Sequence, residues 1–191
     1  KKHGPWVWWF ENGQKKYVGY YKADKKDGRW QEWDINGSIK INGTYNDGNE
    51  WDGIFNSSIY SNGLKAIPKQ DHYDSGNIKE EGLVLGENKI GKWTYWHENG
   101  EKKAEGNISN DKKDGIWTYW YKSGLKEKSG NYRNDHMHGE WSGWYFSGKK
   151  FFIRNYDLGK KDGTWIWWYS NGEKKYSGNY KNDKKDGIWK E

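Results

Sequence analysis

Apolar and polar positions alternate along this chain with a period of two. In residues 115 to 138, GIWTYWYKSGLKEKSGNYRNDHMH, alternation puts Trp117, Tyr119 and Tyr121 on one face of a strand and Trp120 on the other. The strand stops at Ser123-Gly124, and a second polar and apolar run follows up to Tyr132. Two short strands joined by a turn make an antiparallel hairpin. No segment shows a helical period, so helix is nowhere predicted.

The hairpin recurs. A Gly followed by any residue and then an aromatic stands at Gly4-Pro-Trp6, Gly28-Arg-Trp30, Gly53-Ile-Phe55, Gly91-Lys-Trp93, Gly115-Ile-Trp117, Gly139-Glu-Trp141, Gly163-Thr-Trp165 and Gly187-Ile-Trp189. The spacings are 24, 25, 38, 24, 24, 24 and 24 residues. The long interval fits a truncated unit from Gly53 and a degenerate one from about Ile67 that rejoins the pattern at Gly76 and Gly82. Turns within hairpins are Asn-Gly at 12, 36, 62, 99 and 171, expected to be of type I′, or Ser-Gly at 75, 123 and 147. The linker Asn-Asp-Lys-Lys-Asp-Gly, at 110 to 115 and 182 to 187, hands the chain to the next hairpin.

The expectation is an all-β, elongated, single-sheet antiparallel β-meander repeat array over residues 1–191, with a truncated and degenerate stretch at 53–90. Roughly sixteen strands at about 4.8 Å give a length of about 75 Å. A third glycine per unit, at 19, 43, 82, 106, 130 and 178, leaves bare backbone for a neighbouring ring. Arg154 takes that slot in one unit.

The Gly-x-Trp start, the Asn-Gly turn, the Gly-Asn-Tyr step and the linker resemble MORN repeats, particularly the bacterial variant class of YwqK-type antitoxin proteins. The likeness covers nearly the whole chain and is weakest from 56 to 80. His3 and His138, just before an anchor glycine, stand where the common MORN pattern has His. The resemblance implies 23- or 24-residue hairpins in an elongated sheet, a role in protein-protein scaffolding and, as a second reading, phospholipid contact.

Composition fits a thin aromatic core. Leu, Ile, Val and Phe total only 26 of 191 residues, which alone suggests disorder, yet 16 Trp and 15 Tyr supply the missing apolar area. The net charge of +6 comes from 33 basic and 27 acidic side chains interspersed along the chain. That mixing disfavours double-stranded nucleic acid and leaves a modest attraction to anionic surfaces. Without Cys there is no disulfide framework or thiolate chemistry. No apolar run approaches 18 residues, so no membrane-spanning helix is expected. A start at Lys1 without Met or leader reads as processing or excision from something longer.

Residues that recur in every unit are explained by the unit's own folding, so no catalytic residue, metal site or cofactor is expected, and the chain reads as non-enzymatic. Asp111 with Asp114 and Asp183 with Asp186 read as turn chemistry in preference to paired carboxylates. His136-Met137-His138 lacks a visible third metal ligand. Candidate partner-binding residues are Trp9, Trp33, Trp96, Trp120, Trp144 and Trp168, one register of rings facing away from Trp6, Trp30, Phe55, Trp93, Trp117, Trp141 and Trp165. The expected function is a protein-protein interaction or scaffolding surface along this aromatic, concave face. The alternative for lipid contact is a stripe of Lys15, Lys16, Lys102, Lys103, Lys149, Lys150, Lys174 and Lys175, whose plainer role is to guard strand edges. Self-association through the terminal strands is a third reading.

Overall fold

The computed structural model describes every residue except Asn56, Ser57 and Asn62. Its regular structure is all strand, with no helix among the described residues. Among the described residues eighteen strands are formed, and within each sheet successive strands are antiparallel neighbours.

The expected single sheet is corrected to two. A seven-stranded sheet contains β1 (Gly4–Trp9), β2 (Lys15–Lys22), β3 (Lys25–Trp33), β4 (Ile39–Asn46), β5 (Asn49–Phe55), β6 (Ser58–Ser61) and β7 (Leu64–Lys65). An eleven-stranded sheet contains β8 (Ile67–His72), β9 (Ile78–Leu85), β10 (Asn88–Trp96), β11 (Lys102–Ser109), β12 (Lys112–Trp120), β13 (Lys126–Arg133), β14 (His136–Trp144), β15 (Lys150–Asp157), β16 (Lys160–Trp168), β17 (Lys174–Lys181) and β18 (Lys184–Lys190). The division falls in the stretch where the repeat is truncated. There β6 has four residues and β7 two, too few to continue the ladder. Strand β8 carries Pro68, which donates no backbone hydrogen bond and suits an edge, the position β8 occupies. Two compact units result: Lys1–Ile67 with Leu85–Glu87, and Pro68–Val84 with Asn88–Glu191.

The turns exchange roles relative to expectation. At Asn12-Gly13, Asn36-Gly37, Asn99-Gly100 and Asn171-Gly172 only the glycine has positive φ, so these are not type I′. Gly13 N–H donates to the Phe10 carbonyl and Phe10 N–H to the Gln14 carbonyl, which makes a three-residue loop closed by a left-handed glycine. The Asn62-Gly63 turn lies partly outside the described residues. Paired positive φ occurs in the linkers instead, at Ala23-Asp24, Asn110-Asp111, Asn134-Asp135 and Asn182-Asp183, where Asn and Asp, which tolerate it, fill every position but Ala23.

Every anchor glycine has positive φ, from 66° at Gly28 to 115° at Gly53. In the second unit the reason is a bulge. Between the pairs Glu105↔Thr118 and Asn107↔Asp114, the three residues Gly115 to Trp117 lie opposite the single residue Gly106. A bulge of this kind needs a left-handed residue, and glycine adopts it without steric cost. Thus the anchor glycine sets the point where the strand bends and Trp117 is delivered onto its neighbour.

Candidate binding surface

One face of each sheet is covered mainly by its own rings. Trp93, Trp117 and Trp141 are fully buried, as are Trp30 and Phe55 in the first unit. Each ring lies on the third glycine of the preceding strand, so closely that a Cβ at Gly106 would sit 2.4 Å from the Trp117 ring and one at Gly130 2.2 Å from Trp141. Each indole N–H donates to a carbonyl ten residues upstream: Trp30 to Tyr20, Trp117 to Asn107, Trp141 to Asn131 and Trp165 to Asn155, at 2.9 to 3.0 Å. Tyrosines pack edge-on between successive indoles, as Tyr132 does at 5.0 Å from Trp141.

A lysine from the preceding linker lies over most tryptophans of this register. Lys26 sits 4.5 Å from the Trp30 centroid, Lys89 4.0 Å from Trp93, Lys113 4.5 Å from Trp117, Lys161 5.1 Å from Trp165 and Lys185 4.6 Å from Trp189. Burial holds the Lys113 ammonium below its usual pKa. At Lys89 burial is outweighed by the Glu80 carboxylate, 2.7 Å away, and by Tyr95, and the pKa rises. Met137 fills the same place beside Trp141 and packs into its cluster. The sequence reading placed these lysines in polar linkers; their regular four-residue distance from each Trp is the signal that marks them.

The other face is open. In the second unit Trp96, Trp120, Trp144 and Trp168 stand three residues beyond the buried rings and are partly exposed. Across the ladder from them are Lys102, Lys126, Lys150 and Lys174. Lys102 also reaches the Trp120 ring at 5.4 Å, and Lys126 reaches Trp144 at 5.3 Å. Indoles and ammonium groups therefore alternate across the strands, with successive indoles two strands, or about 10 Å, apart. In the first unit, exposed Trp9 faces Lys15, while partly buried Trp33 faces Ile39. The lysine stripe is divided. Lys15, Lys102, Lys150 and Lys174 pair with tryptophans, whereas Lys16, Lys103 and Lys175 fall where the register shifts. Lys16 lies over Phe10, Lys175 over Tyr169, and Lys149 donates to the Asn171 carbonyl. Sequence reasoning missed Lys126, which belongs to no Lys pair.

A family profile described as MORN repeat variant matches residues 2–23, 89–110 and 161–182. The chain is similar to MORN repeats. Each match begins at a lysine that lies over a tryptophan, Lys2 over half-buried Trp6, Lys89 over buried Trp93 and Lys161 over buried Trp165, and ends in the linker turn at Ala23, Asn110 or Asn182. Each matched segment thus holds one hairpin together with the lysine that lies over its tryptophan. MORN repeats are typically involved in protein or membrane binding and are generally non-enzymatic. No curated protein matches the chain.

The linker carboxylates act as expected of turn residues. Asp111 Oδ1 accepts from Lys89 N–H at 2.7 Å, Asp135 from Lys113 N–H at 2.7 Å and Asp183 from Lys161 N–H at 2.8 Å, each tying one hairpin to the one before. Backbone N–H groups of the same aspartates return a bond to the same lysines' carbonyls. Tyr73, Tyr121 and Tyr145 hydroxyls donate to the carbonyls of Trp96, Trp144 and Trp168, a second tie along the array. His138 Nδ1 lies 3.4 Å from an Asp157 carboxylate oxygen, and His136 packs against Gly159. Among the described residues no group of three His, Cys, Asp or Glu side chains comes together, and no helix is long and apolar enough to cross a membrane.

Proposed function

We propose that this chain is a non-enzymatic binding module whose protein partner lies along the alternating row Trp96, Lys102, Trp120, Lys126, Trp144, Lys150 and Trp168. The observation that supports this reading is the unequal fate of the two tryptophan registers. In the second unit Trp93, Trp117 and Trp141 are fully buried over glycine, whereas Trp96, Trp120, Trp144 and Trp168 keep exposed ring area beside lysines. Trp is enriched among residues that dominate interface energetics, and Lys beside it selects acidic neighbours. A partner presenting apolar and acidic side chains about 10 Å apart fits such a row. The YwqK-type antitoxin likeness belongs to the same proposal, since an antitoxin that acts by binding needs an open face of this kind.

The test is capture from the source lysate by the intact chain beside a Trp96→Ala, Trp120→Ala, Trp144→Ala variant. Near-ultraviolet circular dichroism first establishes that its buried tryptophans keep their packing. One protein held by the intact chain and lost by the variant supports the reading. Equal retention by both overturns it. Anionic vesicles run in parallel separate out the lipid alternative, whose binding should fall steeply between about 0.05 and 0.5 M salt.

A further inference from the structure

On the tryptophan-glycine face of the second unit, strands β15 to β18 surround a cleft of about 580 Å³. Two departures from the repeat meet there. Arg154 stands where six other units have glycine, and Trp167 stands where the unit before has Gly143 and two earlier ones have Tyr95 and Tyr119. The Arg154 guanidinium lies 4.1 Å from the Phe152 ring, 5.1 Å from Trp167 and 5.3 Å from Trp165. Its Nε is shielded from solvent without an acceptor among the described residues. Lys161 and Lys185 line the same cleft, Lys161 4.9 Å from the Tyr180 ring.

Charge decides what this cleft takes. Among the described residues Arg154, Lys161 and Lys185 have no carboxylate within ion-pairing distance, unlike Lys89 with its Glu80. Glu191 is the one acidic side chain among the lining residues. Three cations against one carboxylate make the field of the cleft favour an anion. The remaining lining is aromatic, which suits a flat apolar body, and the volume is that of a small-molecule site. We propose that this cleft binds a small aromatic anion, an aryl phosphate or aryl carboxylate. Its charge meets Arg154 and Lys161, and its ring lies against Trp167 and Tyr180.

The repeat itself supplies well-tolerated variants. Arg154→Gly restores the glycine of the other units, and Lys161→Met copies Met137 at the equivalent place. Calorimetric titration of the full chain uses phenyl phosphate and benzoate as probes, with inorganic phosphate and phenol as separate arms. The expected result is that at least one aromatic anion binds with Kd below about 1 mM and more tightly than phosphate or phenol. Each variant should weaken that binding about tenfold or more while unfolding stays cooperative, and Lys185→Met replaces either variant that fails to fold. The Trp96, Trp120, Trp144 variant should bind the same probe unchanged, because its substitutions lie on the opposite face. Failure of both aromatic anions to bind, equal binding of inorganic phosphate, or undiminished binding by the variants would overturn the proposal.

Discussion

The indole N–H of Trp117 donates to the Asn107 carbonyl, 3.0 Å away, while its ring rests on Gly106, the residue just before. A single pair of adjacent residues on β11 thus receives both the apolar face and the polar atom of the ring. Gly106→Ala would force a methyl to 2.4 Å from the indole. The backbone beneath cannot yield without breaking the ladder, so the loss is expected to be about 3 kcal/mol by urea unfolding. Wild-type stability in that variant would show that the ring can slide.

Trp141→Phe separates the two roles. The phenyl ring keeps most of the burial on Gly130, but the Asn131 carbonyl loses its donor. A cost of about 1 to 2 kcal/mol is expected for the hydrogen bond, against about 4 kcal/mol for Trp141→Ala. Equal losses in the two variants would contradict that separation.

The ties between hairpins are tested at Asp135, whose carboxylate accepts from Lys113 N–H. Asp135→Ala is expected to cost about 1 to 2 kcal/mol, and Asp135→Asn less, since its amide oxygen still accepts. Hydrogen exchange at the Lys113 amide should accelerate in the alanine variant and much less in the asparagine one.

Alkali should weaken both units. Burial raises the Tyr45 hydroxyl to about 12, and it raises Tyr119, Tyr95 and Tyr156 above their usual value of 10.0. A group whose folded pKa is raised contributes its stability in full below the unfolded pKa and loses it as pH climbs toward the folded one. Stability is therefore expected to fall above pH 10, with Tyr119→Phe flattening the decline. Lys113, with its lowered pKa, acts in the opposite sense: its desolvation cost is relieved as pH rises toward 10.5. Thermal unfolding followed across this range checks the sign.

The period, the all-strand class and the glycine slots were legible because each is written in residue types that recur every 24 positions. Which tryptophan register is buried was harder to read, since both registers carry indoles and strand alternation treats the faces alike. The deciding difference is what stands across the ladder: Gly130 from Trp117, but Lys126 from Trp120. Lys113 was obscured by its setting, because Asn-Asp-Lys-Lys-Asp-Gly reads as a polar turn although β12 already begins at Lys112. Division into two sheets was hidden for a different reason. The lesion at 53–90 was visible, but a ladder ends where hydrogen-bonded strands become too short, and strand length at degenerate positions is set by tertiary pairing.

The carboxylate of Asp111 reaches back 22 residues to Lys89, and that of Asp135 reaches back 22 residues to Lys113. Each hairpin therefore offers its successor the same backbone socket that its predecessor offers it. Excising residues 90 to 113 would remove one full period and leave Asp135 facing the socket of Lys89, with Gly115 following an unaltered linker rhythm. A chain built on such interchangeable joints gains or loses length in whole hairpins, and duplication within its coding sequence has a ready structural outlet.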